Sequence, residues 1–145
     1  MSLQVELEQL LEVAGRFGTV PMLLTVDDDG RARASAVSVT WDGVHAMVRT
    51  GRRSLANAGA RSLVSLLWPA PAGERFALLV DGEVVATQPD ETPGDSGGGG
   101  SEGGGRSGGK EGGGVVVVRA TSAILHVVTR GSRPKRRPAG NQTEK

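Results

Sequence analysis

Thr50 to Asn57 reads TGRRSLAN, and its side chains suit one task above others, the holding of an anion. Gly51 breaks any extended segment before it. Ser54 is a good helix N-cap, so a helix of about two turns is expected over residues 54–60. Arg52 and Arg53 then stand beside a helix N-terminus, where unpaired backbone N–H groups and the positive end of the helix dipole point outward. Their guanidinium groups add charge-assisted donors of the geometry that phosphate accepts. Asn57 lies one turn on, on the side of Arg53 and Ser54. These residues by themselves favour a solvated basic turn with a capped helix, and a phosphate site is the alternative.

The elements that must position this cluster are legible on both sides of it. Arg31 to Trp41 (RARASAVSVTW) alternates as a strand: Arg31, Arg33, Ser35, Val37, Val39 and Trp41 on one face, Ala32, Ala34, Ala36, Ser38 and Thr40 on the other. The second face is small throughout, which lets a helix or a flat ligand approach the backbone. Asp42-Gly43 is a hairpin signal leading into a strand over 44–50. Val20 to Val26 is an apolar strand with Pro21 at its start. Asp27-Asp28-Asp29-Gly30 is a turn. Three adjacent carboxylates do not make a calcium loop, which needs further oxygen ligands and a late glutamate.

Upstream, Leu3, Leu7, Leu10, Leu11 and Ala14 share one helical face, which predicts an amphipathic helix over 3–16, capped by Ser2 and ended by Gly15 or Gly18. Downstream, Leu63 to Trp68 reads as a buried strand. Arg75 to Thr87 is strand-like throughout, with Gly82 expected to be a bulge in one long bent strand rather than a hairpin turn. Val115 to Val128 is a final strand pair or one long bent strand.

Two stretches stand apart. Residues 89–114 hold 13 glycines between Gly94 and Gly114 with almost no apolar side chains, and are expected to be a disordered insertion. The tract is not a phosphate loop, because a strand and not a helix follows it. Residues 129–145 form a basic, proline-containing tail, also expected to be disordered.

Composition narrows the class further. The chain has 145 residues, enough for one domain over residues 1–128. It has no cysteine and two histidines, so a disulfide framework and a thiolate or histidine-rich metal site are not expected. His126 and His45 lack a placed partner for general-base work. Tyrosine is absent and aromatic residues make up 3%, which argues against a stacking platform for single-stranded nucleic acid. No membrane span and no secretory signal is expected, and the cytoplasm is the expected location.

The succession LLTVDDDGRARASAVSVTWDG, RTGRRSLANAGARSLVSLLWP, LLVDGEVVA and VRATSAILHVV resembles the pyridoxamine 5'-phosphate oxidase-like family of flavin-binding split barrels. The likeness covers most of residues 3–128. It implies a mainly β fold, a six-stranded antiparallel split barrel with small helices, and a homodimer with the cofactor at the interface. It implies FMN, or deazaflavin in some members. By this resemblance Ala34, Ser35 and Ala36 line the isoalloxazine ring, while Thr50, Arg52, Arg53, Ser54 and Asn57 form the phosphate end. Many members carry a lysine in this turn where Ser54 and Leu55 stand here.

The leading functional expectation is therefore an FMN-dependent oxidoreductase acting on a small molecule, with the coenzyme supplying the redox chemistry. No catalytic side chain is assigned. A deazaflavin-dependent reductase and a non-enzymatic flavin carrier are the alternatives. Trp41 and Trp68, at strand ends, are expected to leave apolar surface for a second copy to cover.

Overall fold

The structure is a computed structural model that describes residues 2–91 and 112–128. In chain order it contains β1 (Ser2–Val5), a 3-10 turn (Leu7–Gln9), α1 (Leu10–Gly15), β2 (Met22–Val26), β3 (Ala32–Ala36), β4 (Ser38–Asp42) and β5 (His45–Thr50). Then come α2 (Arg52–Ala60), β6 (Leu63–Trp68), β7 (Phe76–Pro89) and β8 (Gly114–Val127). The disorder expected of the glycine-rich tract and of the basic tail falls on residues that mostly lie outside the described ones.

All described strand pairs are antiparallel, in the order β3-β2-β6-β7-β8-β5-β4, with β1 on β8. The two ends of this order, β3 and β4, are separated in sequence by Val37 alone. The sheet must therefore curl until its ends meet, and the run 32–42 is one strand shared between them. Counted that way the barrel has six strands, plus the short β1. This is the antiparallel split barrel, with two short helices laid on it.

Alternation builds the interior. Leu23, Val39, Val48, Leu66, Trp68, Leu78, Val80, Val116 and Val118 are buried, each every second residue along its strand. Fully burying one such side chain contributes about 1.5–3 kcal/mol. β7 and β8 pair along nearly their whole length and form the spine. As expected, β7 runs through Gly82 as one strand, but Gly82 is not the bulged residue: Asp81 pairs with Ser122 and Gly82 with Ala120, so the extra residue, on β8, is Thr121. Its hydroxyl donates to the Asp81 carbonyl at 3.1 Å. Residues 115–127 form one strand, not two.

Three expectations change. Residues 3–16 are not one helix. β5 accompanies β8 only as far as Arg119, which leaves Ala123–His126 with an open edge. Ser2–Val5 satisfy that edge in the extended form, and the helix is confined to Leu10–Gly15, with Leu10 and Ala14 buried and Leu3 and Leu11 exposed. Ser2 is accordingly no cap; its hydroxyl lies 3.1 Å from His126 Nδ1. Trp41 and Trp68 do not offer an uncovered apolar face: the rings stack on each other at 6.1 Å, Trp68 is buried, and its indole N–H donates to the Gly18 carbonyl. Finally, the glycine tract ends inside the barrel. Gly114 pairs with both Thr50 and Pro89, and a Cβ there would strike the Gln88 carbonyl.

Among the described residues no helix is long and apolar enough to cross a membrane.

A glycine pair tests this packing. A Cβ on Gly82 would meet Val118 Cγ1 and lie 2.9 Å from the Arg119 carbonyl, whereas one on Gly59 meets nothing within 4 Å. Gly82→Ala should destabilise the fold by about 1–3 kcal/mol. Gly59→Ala should stabilise it by about 0.5 kcal/mol. Urea midpoints read both, and equal effects would contradict this packing.

Candidate functional site

The site begins with a difference between the two edges of the run 32–42. Val37 and Val39 give their N–H groups to the carbonyls of Pro21 and Thr19, at 3.0 and 3.1 Å. Odd-numbered residues therefore bond toward β2. By antiparallel alternation the N–H and C=O groups of Ala32, Ala34 and Ala36 point to the other edge. Along β4 that edge is filled by β5, with Ser38 opposite Arg49. Continuing the register would set Ala36 opposite position 51, but there the chain leaves the sheet. Gly51 turns it into α2, and the even edge of β3 is left open among the described residues.

The first turn of α2 stands beside this opening. Gly51 is the N-cap, extended at φ −78° and ψ 174°, with no side-chain capping bond. This corrects the expectation that Ser54 caps the helix: the helix starts two residues earlier. Leu55 N–H is bonded to the Gly51 carbonyl at 3.0 Å, which leaves the N–H groups of Arg52, Arg53 and Ser54 without intrahelical acceptors. Ser54 is buried in the first turn, and its hydroxyl is 2.8 Å from that of Ser35. That bond ties α2 to β3 directly.

Thr50, the last residue of β5, is buried, and its Oγ1 has no hydrogen-bond partner. It is the one buried side-chain polar atom among the described residues in that condition. Arg52 and Arg53 are exposed and, among the described residues, make neither hydrogen bond nor ion pair. The stem of Arg52 runs past Gly112, where a Cβ would lie 2.9 Å from Arg52 Cδ.

A cleft of about 670 Å³ lies between the 27–29 turn and α2, with Arg33, Arg52, Arg53 and Asn57 on its wall. Ala34, Ser35, Ala36, Thr50 and Ser54 are not on that wall; they lie on the strand edge and at the helix start beside it. Two residues that line the cleft were not singled out in the sequence, Asp27 and Arg33. The Asp27 carboxylate is bound by the Arg33 guanidinium through one oxygen and by Asn57 Nδ2 at 2.7 Å through the other. Asn57 also donates to Thr25 Oγ1 at 3.2 Å. The Arg33 hydrogen bond, then that of Asn57, holds the Asp27 carboxyl below the ordinary carboxylate range. Asp28 is paired with Arg61 at 2.8 Å and Asp29 with Arg31 at 3.5 Å. No spacing rule announces the Asp27 bridge, because it joins three elements.

This fold is an antiparallel split barrel. Three solved structures of that architecture align with the chain. One is an F420 reductase, at 22% identity and TM-score 0.53, covering 72% of this chain and 88% of the other. A second is a FAD-binding protein from Mesorhizobium loti, at 12% identity and TM-score 0.56, covering 86% and 96%. The third is provisionally described as a pyridoxamine 5'-phosphate oxidase from Listeria innocua, at 15% identity and TM-score 0.53, covering 83% and 98%. No family model and no curated protein matches the sequence.

The Asp27 bridge gives the barrel a pH signature. Its folded pKa lies below the unfolded value of about 3.9, so the unfolded state binds the proton more readily. The contribution to stability is then complete above about pH 5 and fades as pH falls through the folded pKa. Asp27→Asn should therefore be less stable than wild type at neutral pH, and the gap should shrink below about pH 4. Thermal melts across pH 3–7 read this; a gap that stays constant would refute it.

Proposed function

We propose that the chain is a flavin-dependent oxidoreductase on the split-barrel scaffold, with the cofactor phosphate at the first turn of α2 and the flat ring along the open edge of β3. The observation that carries this is Thr50 Oγ1, buried and without a partner at the point where β5 turns into α2. Leaving such a group unsatisfied costs about 1–3 kcal/mol, and an anion at the helix start would accept its hydrogen. The first-turn N–H groups and the guanidinium groups of Arg52 and Arg53, which make no ion pair among the described residues, would serve the same anion.

Each residue then has a task. Thr50, Arg52, Arg53 and the backbone of Ser54 hold the phosphate. Ala34 and Ala36 offer small side chains and open backbone donors and acceptors to the ring, and Ser35 between them fastens that strand to α2 through Ser54. Asn57 has both amide N–H groups engaged by Thr25 and Asp27, so it positions the cleft rather than holding phosphate. When bound, the cofactor would supply hydride transfer to or from a small-molecule substrate. A second copy of the chain would close the open side of the cleft, with the exposed Leu63 and Val85 as apolar contacts for it.

A deazaflavin in place of FMN is the second reading. It is favoured by the F420 reductase among the aligned structures and by Ser54 and Leu55 standing where many members of the resembled family have a lysine.

The purified protein should show flavin absorbance or acquire it on titration with FMN or with deazaflavin. Replacing Arg53 by Gln together with Ser54 by Ala should weaken that binding at least about tenfold. Thr50→Val carries opposite signs in one variant: it should stabilise the ligand-free protein by about 1 kcal/mol and weaken flavin binding. Unchanged affinity in both variants would remove the assignment.

A further inference from the structure

Three consecutive glycines, Gly112 to Gly114, run into the start of β8, and each has a different neighbour where a side chain would stand. A Cβ on Gly114 would strike the Gln88 carbonyl of β7, and one on Gly113 would lie 2.7 Å from the Thr50 carbonyl of β5. One on Gly112 would lie 2.9 Å from Cδ, 3.2 Å from Cγ and 3.4 Å from Cβ of Arg52. This short segment thus joins the barrel rim to the first turn of α2. Its path is pinned: the Asp90 N–H donates to the Gly113 carbonyl at 2.8 Å, and Arg49 holds the Asp90 carboxylate at 3.1 Å. Turn geometry explains only part of the glycine at 112. Gly18, Gly30, Gly43 and Gly73 share its positive φ, but a Cβ on any of those four would meet nothing within 4 Å.

We propose that Gly112 is a positioning residue for the anion end of the cleft: its bare backbone seats the aliphatic stem of Arg52, and the seated stem carries the guanidinium to the cleft wall. The inference rests on the flavin reading above and adds a residue to that site. Arg52 lines the cleft, and among the described residues no hydrogen bond or ion pair of its own fixes its side chain. A stem already seated loses less rotamer freedom when the anion binds. The contact is made through carbon atoms and leaves the guanidinium donors to the ligand. A side chain at 112 would take the space of the stem, and the stem is the part that can swing away. The same segment lies against Thr50, whose buried hydroxyl has no partner.

The test is a double-mutant cycle read with FMN and with riboflavin, which lacks the phosphate. Each is titrated into the full chain and followed by flavin fluorescence. Gly112→Ala should weaken FMN about fivefold, as for one misaligned charge-assisted contact, and leave riboflavin within about twofold of wild type. Gly112→Asn carries the same Cβ on a residue that tolerates positive φ, and should weaken FMN as much. Arg52→Ala should weaken FMN about tenfold, and adding Gly112→Ala to it should change FMN affinity by less than about twofold. Gly73→Ala imposes the same kind of backbone strain where the space is open, and should leave FMN affinity within about twofold of wild type. A Gly112→Ala effect of equal size with and without Arg52, or equal on both flavins, overturns the inference and leaves the flavin site standing. So does an FMN affinity that neither Gly112→Ala nor Gly112→Asn moves. Wild type that binds neither flavin overturns the inference together with the flavin reading. Gly112→Asn decides should Gly112→Ala fail to fold, and the Arg52→Ala background decides should riboflavin bind too weakly to follow.

Discussion

The run from Ala32 to Asp42 has a hydrogen-bonded neighbour on both edges only where β5 accompanies it. β5 stops at Thr50, and everything of interest follows from that shortfall. A closed barrel leaves no strand edge, and an open edge exposes backbone donors and acceptors to any partner that fits. Here the edge at Ala32, Ala34 and Ala36 carries side chains too small to shield it. The chain that might have continued as β5 starts α2 instead, so the helix N-terminus lies against the gap it created. One backbone event, the turn at Gly51, thus produces both the open strand edge and the helix N-terminus beside it.

The gap is bridged by polar bonds, while Ala58 and Leu55 seat α2 on the core. Ser35 and Ser54 join β3 to α2 at 2.8 Å. Asp27 joins the β2–β3 turn, through Arg33 and Asn57, to the same two elements. Exposed ion pairs elsewhere, such as Arg16–Glu12, contribute little, about 0–1 kcal/mol each. Those at the gap differ because several donors converge on one carboxylate. In that arrangement the Arg33 guanidinium is tied to the Asp27 carboxylate.

The strands were legible in the sequence wherever alternation and turn chemistry agreed. Asp27 to Gly30 and Asp42-Gly43 each marked a change of direction that the structure contains, and Gly30 and Gly43 take φ of 81° and 57°. The N-terminal segment misled because Leu3, Leu7 and Leu10 fit a helical period, while the demand that decided its form, an open edge at Ala123–His126, lies over a hundred residues away. Ser54 misled for a related reason. Its hydroxyl is an equally good cap or cross-element partner, and only the position of Ser35 decides between them. Asp27 read as one of three turn carboxylates; nothing local distinguishes it from Asp28 and Asp29.

Thr50 completes the physical case. Native interiors rarely keep a buried hydroxyl without a partner, and a valine of the same shape would remove the cost. Its neighbours give it no acceptor: Val48 and Val116 are apolar, and the Thr50 carbonyl faces Gly113 at the barrel rim. Folding alone therefore gives no reason for oxygen at this position. The atom lies two residues before the start of α2, whose first three N–H groups lack intrahelical acceptors, and near Arg52 and Arg53, which make no ion pair among the described residues. A single anion would satisfy all of these at once, and a cluster of complementary deficits at one point of the chain is what a ligand site looks like before the ligand arrives.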